Sequence, residues 1–252
     1  LTVSKGLTIG GDVTINSGNT LSQKGATLTV KGNWTNNGTY TTTSTSAKAT
    51  FSGTAQTIAG SSITGFRQLT IGAGSTVTLN VNMTVSGTFS VSGTFIPAEN
   101  ASPRTVTGAG TTSITNGGIL KVNASTYTGN YGLTGSITLS AGSIVDYSAT
   151  LVNQTVRNTL TYSTLRISGT GTKTLAGNPN ALNATSSTSG SIEVLAAILD
   201  LSSYTANRGT TVAGGGITVA NDALLRIGGT GSFPLNYSTH SLGLTSTVEY
   251  AG

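Results

Sequence analysis

The 252-residue chain carries 12 Lys and Arg against 7 Asp and Glu, a net charge of +5, and only 8% of its residues are charged. It holds 35 Gly, 4 Pro and no Cys, which removes any disulfide framework or thiolate metal site. Its apolar residues, 36% of the total, recur too regularly along the sequence for a disordered chain.

In chain order the apolar residues fall in short alternating runs: Leu7-Thr8-Ile9, Val13-Thr14-Ile15, Thr27 to Val30, Leu69 to Leu79, Ile137 to Leu139, Leu165 to Leu175 and Ile217-Thr218-Val219. Period two predicts strands with one face inside. Between them stand Gly-Gly, Asn-Gly, Ser-Gly and Gly-Asn-Thr, residues that supply the backbone angles of sharp corners. Threonine, about a fifth of the chain, suits such strands by β-branching. No segment has the period of an amphipathic helix. The stretch Glu193 to Leu201, "EVLAAILDL", has six apolar residues between Glu193 and Asp200, and reads as a buried strand pair. It is far short of the roughly 20 apolar residues that a membrane-spanning helix requires.

Self-comparison shows a repeat. Residues 49–80 and 146–178 share an order of parts: an aromatic, Gln-Thr-Ile/Val, an aromatic followed by Leu-x-Ile, Gly-rich turns and Thr-Leu. Phe51 maps to Tyr147, Leu69 to Leu165 and Leu79 to Leu175, each 96 residues apart, whereas Gln56 and Gln154 are 98 apart. The third copy opens at "TVEYAG", with Tyr250 103 residues after Tyr147. This predicts a partial module over 1–48, modules over 49–145 and 146–247, and the start of a further one at 248–252. Short strands and tight corners in units that cannot bury a core alone predict an all-β fold, a parallel β-helix (β-solenoid) of imperfect modules of about 96–103 residues running through 1–252. Coils of about 20 residues would give about a dozen turns and about 60 Å of stacked strands at about 4.8 Å each.

The segments "GDVTINSGNTL", "LTVKGNWTNNGTY", "ATFSGTAQTI" and "TYSTLRISGTGTKTL" resemble the repeats of very large secreted surface proteins of Bacteroidetes-type bacteria, the adhesin-like or haemagglutinin-like β-solenoids. The resemblance covers most of the chain and rests on structural motifs. It implies export and an extracellular or cell-surface location.

The seven acids, Asp12, Glu99, Asp146, Glu193, Asp200, Asp222 and Glu249, are spread along the chain, whereas glycan-cleaving sites need clustered carboxylates. Asp200 and Asp222 are 22 residues apart with Arg226 nearby, so they could stack on neighbouring coils; the alternative is three solvated corner residues. The only histidine, His240, reads as an exposed turn residue, since no Gly-x-Ser-x-Gly elbow accompanies it. "GTGTKT" at Gly169 to Thr174 lacks the Gly-Lys-Thr core of a phosphate loop and reads as a corner plus a strand. Basic residues stand singly, which excludes the recognised nucleic-acid modules. Trp34, Tyr127 and Tyr131 are the candidates for stacking on sugars, with packing in the core or at a coil edge as the other and favoured reading of Trp34. A water-ordering Thr-x-Thr face, as in ice-binding solenoids, is weighed at Thr39 to Ser46 and kept only as a minor reading, because its rows are not expected to recur at coil spacing.

These features predict no catalytic residue, no metal and no cofactor, and a structural shaft, stalk or fibre, adhesin-like, whose partners are neighbouring modules or identical copies docked head to tail into a filament, and surface glycans. The rivals are a carbohydrate-active β-helix enzyme, a polysaccharide lyase or hydrolase, and a glycan-binding module.

Overall fold

A computed structural model describes residues 1–179, 182 and 185–252. The chain is all-β, 2% helical, and its parallel sheets form a β-solenoid of about 11 turns. It divides into two compact units, Leu1–Leu120 with Thr128–Thr138, and Lys121–Tyr127 with Leu139–Gly252.

In the first unit a turn carries three strands. Thr64–Phe66, Gln68–Ile71 and Thr76–Leu79 pair in parallel with Met83–Val85, Thr88–Val91 and Thr94–Pro97 of the next turn. In the second unit a turn carries two. Ile144–Tyr147 and Gln154–Val156 pair with Thr164–Ile167 and Thr172–Leu175, and those with Ser191–Val194 and Ile198–Asp200. Here the third side, among the described residues, carries no strand beyond the single bridge of Leu182 with Arg208. The stretch Glu193 to Leu201 is therefore two strands joined at a corner, as its pattern predicts.

Alternation places one residue in two inside. In the first unit Leu28, Ala49, Leu69 and Phe89 share one inward register position, and Val30, Phe51, Ile71, Val91 and Ile114 share the next; every one is at most 1% exposed. In the second unit Val145, Leu165, Ile192 and Ile217 form such a column, beside Tyr147, Ile167, Val194 and Val219. Each large apolar side chain so buried contributes about 1.5–3 kcal/mol, and stacking extends the column without a new design. The edge strand of this sheet departs from the pattern: Leu7 is 39% exposed because only one neighbour, Thr27–Val30, lies against Leu7–Ile9.

One corner recurs. In Asn16–Asn19, Gly72–Ser75, Thr115–Gly118 and Ser140–Ser143 the fourth N–H donates to the first carbonyl at 2.9–3.1 Å. The third residue is a glycine with φ of 75–80°, the angle that a type II turn demands and that side chains with a Cβ resist.

The repeat is visible in three dimensions. Phe51 pairs with Ile71 in the following turn and Tyr147 with Ile167; Gln56 pairs with Val77 and Gln154 with Lys173. The aromatic before each Leu-x-Ile, Phe66 or Tyr162, is buried in both copies. Phe66 lies in a strand, whereas Tyr162 holds the same place in irregular chain.

Candidate functional surfaces

The aromatic candidates lie inside. Trp34 is 0% exposed and Tyr127 and Tyr131 are each 2% exposed, so none offers a ring face to a sugar, and the stacking expectation is corrected for all three. Trp34 stands at an inward strand position, donates from Nε1 to Thr64 Oγ1 at 3.0 Å and meets Tyr40 edge-on at 5.0 Å. Arg157 lies over the Tyr127 ring at 5.2 Å, a cation–π contact. Tyr131 packs against Phe95. The alternation of Trp34-Thr35-Asn36 already assigns the indole to the core; Tyr127 opens the short helical turn Tyr127–Asn130 and Tyr131 the strand that follows it, where period two gives no guide.

Among the acids, Asp12, Asp146, Glu193, Asp200 and Glu249 are held by a neighbouring cation, hydroxyl or backbone N–H. Asp200 stands opposite Arg226, and Arg226 opposite Glu249, on three successive strands. Arg226 Nε donates to Glu249 at 2.8 Å and its Nη1 lies 3.7 Å from Asp200. The hydrogen bond to Glu249, with both carboxylate charges, pushes the guanidinium pKa further up. Asp222 is not in this column: it is an exposed corner residue with φ 63°, so the pairing of Asp200 with Asp222 is corrected. A second column runs Asp146, Arg166, Glu193, with Arg166 donating to Glu193 at 2.7 Å. Asp146 accepts from Ser168 Oγ at 2.7 Å and lies 3.7 Å from Lys121 Nζ. Opposite charges alternate one rung at a time, which spaces the carboxylates apart. Among the described residues no three His, Asp or Glu come together. His240 lies in the strand Thr239–Leu242, opposite Ile217, a correction to its reading as a turn residue, and its ring is 5.4 Å from Phe233.

Sequence reasoning missed a set of buried polar clamps. Gln56 Oε1 accepts from Gly53 N at 2.7 Å while Nε2 donates to Val30 O and Gly32 O of the previous turn. Gln154 repeats the arrangement, accepting from Ala149 N and donating to Val122 O and Ala124 O. Each amide satisfies backbone groups where the chain leaves a strand and the ladder is interrupted. The signal was present: both glutamines belong to the repeated Gln-Thr-Ile/Val. Lys173, in "GTGTKT", is fully buried and donates from Nζ to Ala149 O and Thr170 O, both at 2.7 Å. The corner-plus-strand reading describes this segment, and its lysine points inward. Arg208, 2% exposed, likewise donates to Ser186 O and Ser189 O.

Outside, hydroxyls recur. Thr8, Thr29, Thr50, Thr70, Ser90 and Ser113 hold the same outward position on six successive strands of the first unit. One hydroxyl row thus recurs at coil spacing, on a different sheet from Thr39 to Ser46, but without a second row beside it, so the Thr-x-Thr pattern is not repeated there. The adjacent column is mixed, with Thr27, Lys48 and Gln68 in succession.

At the first turn Leu1, Val3, Leu7, Val13, Ile15 and Leu28 line a hollow of about 360 Å³. At the last turn Leu242, Leu244 and Tyr250 are 51%, 101% and 64% exposed. No helix among the described residues is long and apolar enough to cross a membrane.

The chain matches no described protein family, no curated protein and no solved structure. The class of protein that the coordinates define is a parallel β-solenoid.

Proposed function

We propose that the chain is a structural segment of a long extracellular bacterial surface protein, an adhesin-like shaft or fibre, without an active site. The observation that carries this reading is the unbroken inward columns of both units, such as Val30 to Ile114 and Tyr147 to Val219, which let turns add along one axis indefinitely. The pairing of Asp146, Glu193, Asp200 and Glu249 with neighbouring cations supports it further, because a glycan-cleaving site requires carboxylates free to act on substrate. The inward columns suit continuation by further turns, from neighbouring modules or an identical copy. A head-to-tail contact of that kind propagates into a filament. Electron microscopy of the native material tests the reading: thin unbranched fibres are expected, and a stable monomer at high concentration that turns over acidic glycans would overturn it.

The hydroxyl column from Thr8 to Ser113 favours a second reading for the same shaft, a face that orders water. A thermal-hysteresis measurement on the chain and on Thr50→Lys separates the two, since a plain shaft gives none in either.

A further inference from the structure

We infer that Asn116–Gly117 is a site of spontaneous covalent change, in which the asparagine cyclises to a succinimide and opens to aspartate and isoaspartate, and that the chain's other Asn-Gly pair, Asn37–Gly38, is protected by its coil. In the step, the Gly117 backbone nitrogen gives up its proton and attacks Asn116 Cγ. The new N–Cγ bond closes a five-membered ring, the Cγ–Nδ2 bond breaks, and ammonia leaves with the proton. Water then adds to one ring carbonyl. One opening gives aspartate; the other carries the main chain through Cγ, lengthening it by one carbon. No oxidant is needed, and each event adds one negative charge.

The two pairs have the same sequence and opposite surroundings. Asn116 is exposed at the second position of the corner Thr115–Gly118, and its side chain has no hydrogen bond among the described residues. Gly117 takes φ +77°, and a Cβ built there would meet nothing within 4 Å, so no neighbouring turn presses on this glycine and the corner has room to rearrange. Of the four corners that share this geometry, the others place Ser17, Ala73 and Ala141 at that position; only this one joins an asparagine to the open glycine.

Asn37 is half-buried. Its Oδ1 accepts from Ser61 N at 3.0 Å and Ser61 Oγ at 3.2 Å, both in the next turn. The nitrogen that would attack it, Gly38 N, donates to Asn36 Oδ1 at 3.2 Å. A Cβ built at Gly38 would come within 2.4 Å of Asn16 O, so this glycine is pressed against the previous turn. Ring closure there requires breaking these hydrogen bonds and moving the main chain away from its neighbour.

The experiment is a time course of the full chain at mildly alkaline pH, read by peptide mapping with mass spectrometry and by isoaspartyl methyltransferase labelling. Asn116 should convert at least about tenfold faster than Asn37, the ratio given by about 1.4 kcal/mol of barrier, with a rate that rises with pH. In urea the two should converge. Asn116→Gln should abolish the labelling in the folded chain and leave its circular dichroism unchanged. Conversion of Asn37 as fast as Asn116 in the folded chain, or an Asn116 that stays intact there while the unfolded chain converts, overturns the inference.

Discussion

Lys173 stands opposite Gln154 on the neighbouring strand of the second unit, and its ammonium does for one corner what the amide does for the corner before. Gln154 accepts from Ala149 N and Lys173 donates to Ala149 O, so the two side chains hold the two faces of one peptide residue. Both are buried, and a buried donor or acceptor left without its partner costs about 1–3 kcal/mol.

It follows that Gln154→Leu, which leaves Ala149 N–H and the carbonyls of Val122 and Ala124 without this side chain, lowers stability by about 2–3 kcal/mol. Lys173→Gln, which keeps a donor at the position, costs less than Lys173→Met. Urea unfolding of the three variants checks the order, and a neutral Gln154→Leu would show that the clamp adds nothing.

Much of the fold was legible and part of the chemistry was not, for physical reasons that particular residues show. Phe51 and Tyr147 sit at matched positions because period two and corner glycines are local signals. Thr8, Thr29 and Thr50 are equally regular, 21 residues apart, but recognising them as one outward column requires knowing which sheet each strand joins. Lys173 and Arg208 were hidden more deeply. A charged residue ordinarily belongs in water, and only the three-dimensional convergence of carbonyl oxygens makes an inward ammonium or guanidinium tolerable.

The indole of Trp34 belongs to the core. Trp34→Ala should cost about 3–5 kcal/mol, while Thr70→Ala, on the outward hydroxyl column, should stay within about 0.5 kcal/mol of the parent. Thermal unfolding distinguishes them. A Trp34→Ala chain that keeps its stability and loses affinity for a glycan would restore the indole as a sugar platform.

High pH should unfold the second unit through its tyrosines. Tyr147 and Tyr162 share a hydrogen bond of 3.0 Å, Tyr147 Oη accepts from Arg157 N at 2.9 Å, and Tyr162 Oη donates to Arg157 O at 2.6 Å. Burial pushes the Tyr147 phenol up to about 12 from 10.0, and burial also raises Tyr162 and Tyr127. For a phenol whose folded pKa is raised, the unfolded chain loses its proton first. Stability is therefore full below pH 10.0 and declines towards about 12, by about 1.4 kcal/mol per pH unit for each such tyrosine. Tyrosinate absorbance should rise together with the loss of circular dichroism; ionisation of all eight tyrosines near pH 10 in a folded chain would contradict it.

The corner before Ile198–Asp200 offers a gain in stability. Ala197 has φ 63°, a left-handed conformation that costs an ordinary L-residue about 1–2 kcal/mol. Alanine has no polar side chain with which to offset that cost locally. The register places Thr172 opposite Ile198, so the preceding turn has Gly171 opposite Ala197, and Gly171 takes the same hand with φ 73°. Ala197→Gly removes the strain but loosens the unfolded chain by about 0.5–1 kcal/mol. The expected net change is a rise in stability of up to about 1 kcal/mol. The neighbouring Ala196→Gly, at a residue outside the positive-φ set, carries only the entropic penalty and should lower stability. Paired urea denaturation curves of the two variants decide the matter: a fall for Ala197→Gly equal to that for Ala196→Gly would mean that the left-handed corner is not strained.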